Sequence, residues 1–338
     1  MLTGHGDDTY QFKDIRANFS SNIYAHADTT ALQDFLCRHV SAIGEYPEPE
    51  AYSLERAIAR RYHIGEDCVL VTNGATDAIY LVAQALSKTG VRCFCRFKPT
   101  FSEYADACRM FGIEETEPGD TTEGNHTMFW VCNPNNPTGK VYDPQVLGHL
   151  IRQYAWVVID QSYEDYTLAQ VMTHQEGVGC ENVIQLHSLT KKYAIPGLRV
   201  GYVTAAPAVI EMLRRFLRPW SVNSLAIKAG IFLTDNHIEV VPDLRGYLNE
   251  TQNLLHALRG VGGVEAEATQ TNFMLARAWH IKAAALKRIL AEQHHILIRD
   301  ASNFEGLDDS YFRIATQTPE ENALLIQALR QCIPLLLK

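Results

Sequence analysis

The chain lacks any long hydrophobic run. Nothing in its 338 residues approaches the roughly 18 consecutive apolar residues of a membrane-spanning helix, and the amino terminus, MLTGHGDDTY, has no apolar signal core. It also lacks a basic excess. The formal net charge of −9 argues against general nucleic-acid binding, which needs a basic face to neutralise phosphates. A small anionic ligand stays open, because a few arginines can build a positive pocket on an acidic body. The eight cysteines show no CxxC pair and no disulfide-framework spacing, and only Cys93 and Cys95 are close, alternating along an apolar run. The thirteen histidines include the adjacent pair His294-His295 but no HExxH spacing, so no metal site is expected. Internal repeats and low-complexity segments are missing as well. These absences describe a soluble, cytoplasmic protein, with neither nucleic acid nor membrane as a partner.

What is present is ordinary globular composition, 46% hydrophobic and 20% charged, in a chain long enough for one large domain and a smaller one. Short apolar runs alternate with helical periodicity, the pattern of βαβ units around a mostly parallel sheet. Leu54, Ile58 and Tyr62 predict a helix over 53–62. Val69-Leu70-Val71 predicts a strand that enters the turn Asn73-Gly74, with a helix over 75–86. Further strands are expected at 129–132, 156–159, 183–186 and 200–203, and Asp143-Pro144 opens a helix as cap and first residue. Beyond about residue 230 the texture changes to a helix over 239–258, strands at 272–276, 296–299 and 311–315, and a helix near 281–293. Thr318-Pro319-Glu320-Glu321 is a capping box for the last helix. The expected organisation is an amino-terminal arm and small-domain segment over 1–45, a large domain over 46–230 and a small α+β domain over 231–338.

The strongest chemical signal is Ser188-Leu189-Thr190-Lys191, followed by Pro196-Gly197-Leu198-Arg199-Val200-Gly201-Tyr202. A lone lysine is ordinarily a solvated surface group. This one has a serine three residues before it and an arginine eight after, both able to hold a dianionic phosphate from a strand end and the following turn. The combination suits a lysine that attacks the aldehyde of pyridoxal 5'-phosphate, provided it loses its proton near neutral pH. Asn133-Pro134-Asn135-Asn136-Pro137-Thr138-Gly139 leaves the strand at 129–132, and in an α/β sheet the carboxyl ends of strands are where ligands bind. Asn136 can donate to the phenolic oxygen of a pyridoxal ring, and an X-Pro bond here is a candidate for the cis form. Asp160, at another strand tip, can keep a pyridine nitrogen protonated, although a helix cap or surface acid is the plainer use of such a residue. Tyr163 is within reach of the ring oxygen. The backbone of Gly74 and Ala75 and the Thr76 hydroxyl, at a helix start, form a phosphate cradle.

In this order of segments the chain resembles the fold-type-I pyridoxal-phosphate enzymes, with the aspartate-aminotransferase-like α/β fold. Within them it is similar to the threonine-phosphate decarboxylase family of cobalamin biosynthesis, and next to the histidinol-phosphate aminotransferases. The residues that carry the likeness are His5-Gly6, Phe19-Ser20-Ser21-Asn22-Ile23, Tyr46-Pro47-Glu48-Pro49, the stretch from Ser188 to Arg199, Pro219-Trp220-Ser221-Val222-Asn223, Ile296-Leu297-Ile298-Arg299 and Asn303-Phe304-Glu305-Gly306-Leu307. The resemblance implies Lys191 as the Schiff-base lysine, Asp160 at the ring nitrogen, Asn136 and Tyr163 at the ring oxygen, and Phe101 stacked on the ring. It implies Gly74, Ala75, Thr76, Ser188 and Arg199 at the cofactor phosphate, with Tyr46 arriving from the other subunit of a homodimer with shared active sites. Arg313 would clamp the substrate carboxylate and Arg299 its phosphate, helped by His5 and Asn22; a strand-edge salt bridge is the alternative for either arginine. The implied reaction is decarboxylation of L-threonine O-3-phosphate to (R)-1-amino-2-propanol O-2-phosphate, with histidinol-phosphate transamination as the nearest alternative. A third use of this fold, as a pyridoxal-phosphate-binding part of a transcription regulator, normally has a DNA-binding domain in front, and the 45 residues before Tyr46 are too few for one. Two positions depart from the family pattern: Gln161 stands where glutamate usually follows the aspartate, and His187 where arginine often precedes the serine. The second is expected to alter charge near the phosphates.

Overall fold

The computed structural model describes residues 7–119, 126–239 and 241–337. A short strand, β1 (Ala17–Asn18), precedes the main sheet. The apolar runs that follow become β2 (Val69–Thr72), β3 (Cys93–Arg96), β4 (Glu114–Glu115), β5 (Thr127–Cys132), β6 (Trp156–Asp160), β7 (Val183–His187) and β8 (Gly201–Ala205). They form one seven-stranded sheet in the order β2-β8-β7-β6-β5-β3-β4, in which only β8 runs antiparallel to its neighbours. Helices cover both faces, which is why these strands read as nearly continuous apolar sequence. The alternation is still there underneath. Met128, Trp130 and Cys132 face the helices Ala75–Leu86 and Glu103–Met110, whereas Phe129 and Val131 face the helix Pro144–Gln153. Asp143 caps that last helix, accepting from Gln145 N at 2.7 Å.

The carboxyl-terminal region builds a separate antiparallel sheet from β9 (Val264–Ala266), β10 (Phe273–Ala278), β12 (Arg299–Asp300) and β13 (Tyr311–Ala315), in the order β12-β13-β10-β9. The expected strand at 296–299 is in fact two. Ile296–Leu297 (β11) pairs in parallel with β1, while Arg299–Asp300 (β12) pairs antiparallel with β13 (Tyr311–Ala315). The chain leaves one partner for the other at Ile298, which lets Arg299 stand opposite Arg313. Phe19 is fully buried in the same core as Leu254, Leu286 and Leu329, so the amino-terminal segment is fastened to this region. The helix expected from 239 begins at Leu244 instead. Pro242 biases the residue before it away from helical backbone, and Asp243 takes the cap, accepting from Gly246 N at 2.8 Å. The capping box at Thr318 and Glu321 forms as its sequence demands. Among the described residues no helix is long and apolar enough to cross a membrane.

Candidate active site

The parallel strands all end along one edge of the large sheet, and a cavity of about 250 Å³ opens there. β2 delivers Asn73-Gly74 and the start of the helix Ala75–Leu86. Gly74 has φ of +85°, which favours glycine, and a Cβ on it would stand 2.8 Å from Arg199 Nη2 and push that guanidinium aside. Arg199 itself sits in the left-handed region at φ 56° and donates to the Pro196 carbonyl at 3.2 Å. A Cβ on Gly201 would come within 2.8 Å of both Ala75 N and the His187 carbonyl, so β8 can approach the helix start only as glycine. From the end of β7, Ser188 caps the short helix Leu189–Lys192, its Oγ accepting from Lys191 N at 3.3 Å. Backbone N–H groups, Thr76, Ser188 and Arg199 thus converge from three strand ends, as a phosphate requires.

Lys191 lines the same cavity. Burial, followed by the nearby Arg313 and Arg199, lowers its pKa to about 8, against the opposing pull of Asp7 and Asp160. A substantial fraction is therefore neutral and nucleophilic at mildly alkaline pH. Asp160 ends β6 and is 4% exposed; its Oδ1 accepts from Ser162 N at 2.9 Å and its Oδ2 from the Tyr104 hydroxyl at 2.7 Å. Burial raises its pKa, and those two donors and Lys191 work in the other direction. Phe101 meets Tyr104 edge-to-face at 5.7 Å. Tyr163 is buried against Phe273, its hydroxyl pushed up to about 12 by burial, with Lys191 Nζ 5.8 Å from its ring centre. Asn136, between two cis X-Pro bonds, accepts at Oδ1 from Arg313 Nη1 at 2.6 Å, which leaves its NH2 for another acceptor. Pyridoxal phosphate fits this donor set: an anion cradle at one end, a buried carboxylate at the other, an aromatic face and an amine between them.

Arg313 is 5% exposed and donates through Nη2 to the Ser20 carbonyl at 2.6 Å. Its Nε has no hydrogen-bond partner, and among the described residues no carboxylate pairs with it. Burial lowers its pKa to about 10, Arg299 adding to the shift and Tyr163 opposing it, so it is charged at neutral pH. Among the described residues, then, the salt-bridge alternative finds no carboxylate for this arginine. Arg299, also 5% exposed, donates to the Asp300 carbonyl and to Asn303 Oδ1 (2.8 Å). Asn22 lines the cavity with both amide atoms lacking a well-formed partner, though it lies close enough to the Tyr163 hydroxyl to affect it. Tyr46 is outside the cavity, 87% exposed beside Trp220. His5 lies outside the described residues.

Sequence reasoning missed Asp7, Tyr104, Cys132 and Thr190, all of which line the cavity. Tyr104 had a usable signal, an aromatic three residues after Phe101 at a helix start. Asp7 had none, since it arrives from the amino-terminal segment and is held by Ser20 and Asn18. The expectation for His187 is corrected. It does not line the cavity; its nitrogens bond to Glu164 Oε1 at 2.8 Å and Thr204 Oγ1 at 2.9 Å, and burial lowers its pKa to about 3, leaving it neutral. Gln161 is equally buried and bonds to Gln185, Glu164 and the Met172 carbonyl. Glu164, His174 and His187 bring three ligand-type atoms within 4.8 Å. The two imidazoles, however, are stacked face to face at 4.2 Å and 11°, whereas a metal is bound in the plane of each ring. The cluster is a hydrogen-bonded aromatic stack between Tyr62 and Tyr202.

Comparison with known proteins agrees with this geometry. The family model for aminotransferase class I and II matches residues 15–329. The threonine-phosphate decarboxylase of Salmonella typhimurium is 27% identical over 94% of this chain and 91% of its own. The histidinol-phosphate aminotransferase of Moorella thermoacetica is 27% identical over 85% and 78%. Among solved structures, the L-threonine-O-3-phosphate decarboxylase of Porphyromonas gingivalis superposes with a TM-score of 0.89 at 36% identity, covering 94% of this chain and 99% of that one. With the aminotransferase-like fold and the cavity at its sheet edge, these matches make the chain a pyridoxal-phosphate-dependent enzyme belonging to the aminotransferase class I and II family.

Proposed function

We propose that the enzyme decarboxylates L-threonine O-3-phosphate to (R)-1-amino-2-propanol O-2-phosphate. The observation that carries this reading is the pair of buried arginines opposite each other in β12 and β13, of which Arg313 lines the Lys191 cavity with no carboxylate paired to it among the described residues. Burial makes each guanidinium costly, with Asp300 and Asp8 offsetting part of that cost at Arg299 and Arg299 adding to it at Arg313, and a substrate with an anion at both ends would relieve what remains. Arg313 would take the carboxylate through its planar fork and Arg299 the phosphate, with Asn22 beside them. Gly74, Ala75, Thr76, Ser188 and Arg199 would hold the cofactor phosphate, Asp160 a proton at the ring nitrogen, Asn136 and Tyr163 the ring oxygen, and Phe101 the ring face. Tyr46, exposed and outside the lining of its own cavity, would reach the cofactor phosphate of a second copy in a homodimer.

When bound, pyridoxal phosphate supplies a carbonyl carbon for the substrate amine and a ring that accepts the electron pair released at Cα. By fixing both anionic ends, Arg313 and Arg299 would set which substituent at Cα is presented for cleavage. The bond that breaks joins Cα to the carboxylate carbon, which leaves as carbon dioxide. Lys191 Nζ then returns a proton to Cα, a task its lowered pKa suits. The test is a product assay with L-threonine O-3-phosphate, run beside histidinol phosphate with 2-oxoglutarate. Carbon dioxide and the amino-alcohol phosphate without glutamate are expected. Glutamate formation without carbon dioxide would replace this reading with transamination.

A further inference from the structure

The place of Arg299 depends on the loop that follows it. Its guanidinium bonds to Asn303 Oδ1 and lies 5.6 Å from the Phe304 ring centre. Ala301 and Phe304 pack on Leu275, fastening the loop to the small sheet. The next residue, Glu305, reaches across to the large sheet. It pairs with Lys98 at 2.7 Å and with Arg96, and stands 3.8 Å from Arg109. Glu115 faces the same three cations, from Arg96 Nε at 3.0 Å, Lys98 Nζ at 3.1 Å and Arg109 Nη2 at 2.9 Å. A single exposed ion pair contributes little, but the Arg96 side chain is only 2% exposed and shared between both carboxylates.

Lys98 also leads directly into the cavity wall. After it, the Pro99 carbonyl accepts from Asn135 Nδ2 at 3.0 Å, Thr100 Oγ1 donates to Asn135 Oδ1 at 2.7 Å, and Phe101 lines the cavity. Asn136, next to Asn135, accepts from Arg313, which stands opposite Arg299 in the strand register. The contacts close a circuit: Arg299 to its loop, Glu305 to Lys98, the cavity wall to Arg313, and Arg313 back to Arg299.

We infer that Glu305 is a positioning residue, tying the Arg299 loop to the large sheet and so fixing where that guanidinium stands relative to the Lys191 cavity. Its kinetic consequence rests on the reading of Arg299 as the substrate-phosphate site. Glu305→Gln keeps the fold, because Arg96 retains Glu115. In the holoenzyme, Glu305→Gln should speed hydrogen exchange about tenfold at the loop amides of Ala301, Phe304 and Leu307, with Glu305→Asp restoring much of the protection. It should raise KM for L-threonine O-3-phosphate roughly tenfold and lower kcat by a smaller factor, since Arg299 binds one anionic end and also helps set which substituent at Cα is presented for cleavage. Arg299→Ala serves as the reference variant. Unchanged exchange in Glu305→Gln overturns the proposal whatever the kinetics give. Faster exchange together with a KM that responds to Arg299→Ala but not to Glu305→Gln also overturns it. Faster exchange while Arg299→Ala leaves KM alone supports the tether and removes the substrate reading instead.

Discussion

The two sides of the cavity are built in different ways. On the large-sheet side, every group comes from the end of its own strand and lies within a few residues of it: Gly74 after β2, Asn136 after β5, Asp160 at the tip of β6, Lys191 after β7. On the small-sheet side, Arg313, Asn22 and Asp7 line the cavity, Arg299 stands behind them opposite Arg313 in the strand register, and all depend on pairings between distant segments, β1 with β11 and β12 with β13. The first side is local and rigid, set by parallel strands buried on both faces. The second depends on several long-range contacts holding at once. A site built this way keeps its cofactor in a fixed frame and varies its substrate through register and loop contacts.

The sharpest test of the local side is Lys191→Ala. Reduction of the wild-type holoenzyme with borohydride should leave the pyridoxyl group on the peptide containing 191, located by mass spectrometry, and the variant should show none. Activity should fall on the order of 10³-fold with the loss of the proton-transferring amine. Lys192 will not substitute. Although burial works to lower its pKa, Asp165 at 2.6 Å holds it well above the ordinary lysine value, so it stays protonated. Label on 192 would break the account of the cavity.

The long-range side should respond differently. Arg313→Lys removes the planar fork that serves Asn136 Oδ1 and the Ser20 carbonyl together, and an ammonium cannot replace it. KM for the carboxylate-bearing substrate should rise roughly 10–100-fold, the worth of a charged hydrogen bond or two, while the bound cofactor's absorbance stays unchanged. If the cofactor is lost as well, the two sides are not separable as drawn.

The same contrast explains what the sequence made legible. The helix Ala75–Leu86 and the strand Tyr311–Ala315 have the bounds that periodicity and turn chemistry predict, and Ala75, Thr76, Ser188 and Arg199 reach the cavity because each motif spans one strand end. The strand expected at 296–299 broke because local pattern cannot say that one half pairs with Ala17 and the other with Arg313. Asp7 went unseen for the same reason. His187 misled because a polar residue next to a motif looks like part of the site, whereas strand alternation turns it to the opposite face, between His174 and Tyr202. The stack of His174, His187 and Glu164 escaped because its members come from three elements with no ligand-like spacing.

The smallest effect expected is on stability, and it isolates the electrostatic cost of placing Lys191 in its frame. Burial beside Arg313 and Arg199 lowers its pKa from 10.5 to about 8 in the folded protein. Between those values the unfolded chain binds the proton that the folded chain has released, so stability rises with pH across that window. Below about pH 8 both states are protonated and the whole penalty is present; above 10.5 both are neutral and it is gone. Lys191→Met removes the charge while keeping the shape of the side chain. In the cofactor-free proteins, Lys191→Met should therefore melt above wild type at pH 7, with the gap narrowing steadily from pH 8 towards 10.5. A gap that stays constant over that range would mean that the lysine titrates normally, and the charges of Arg313 and Arg199 would then have no hold on it.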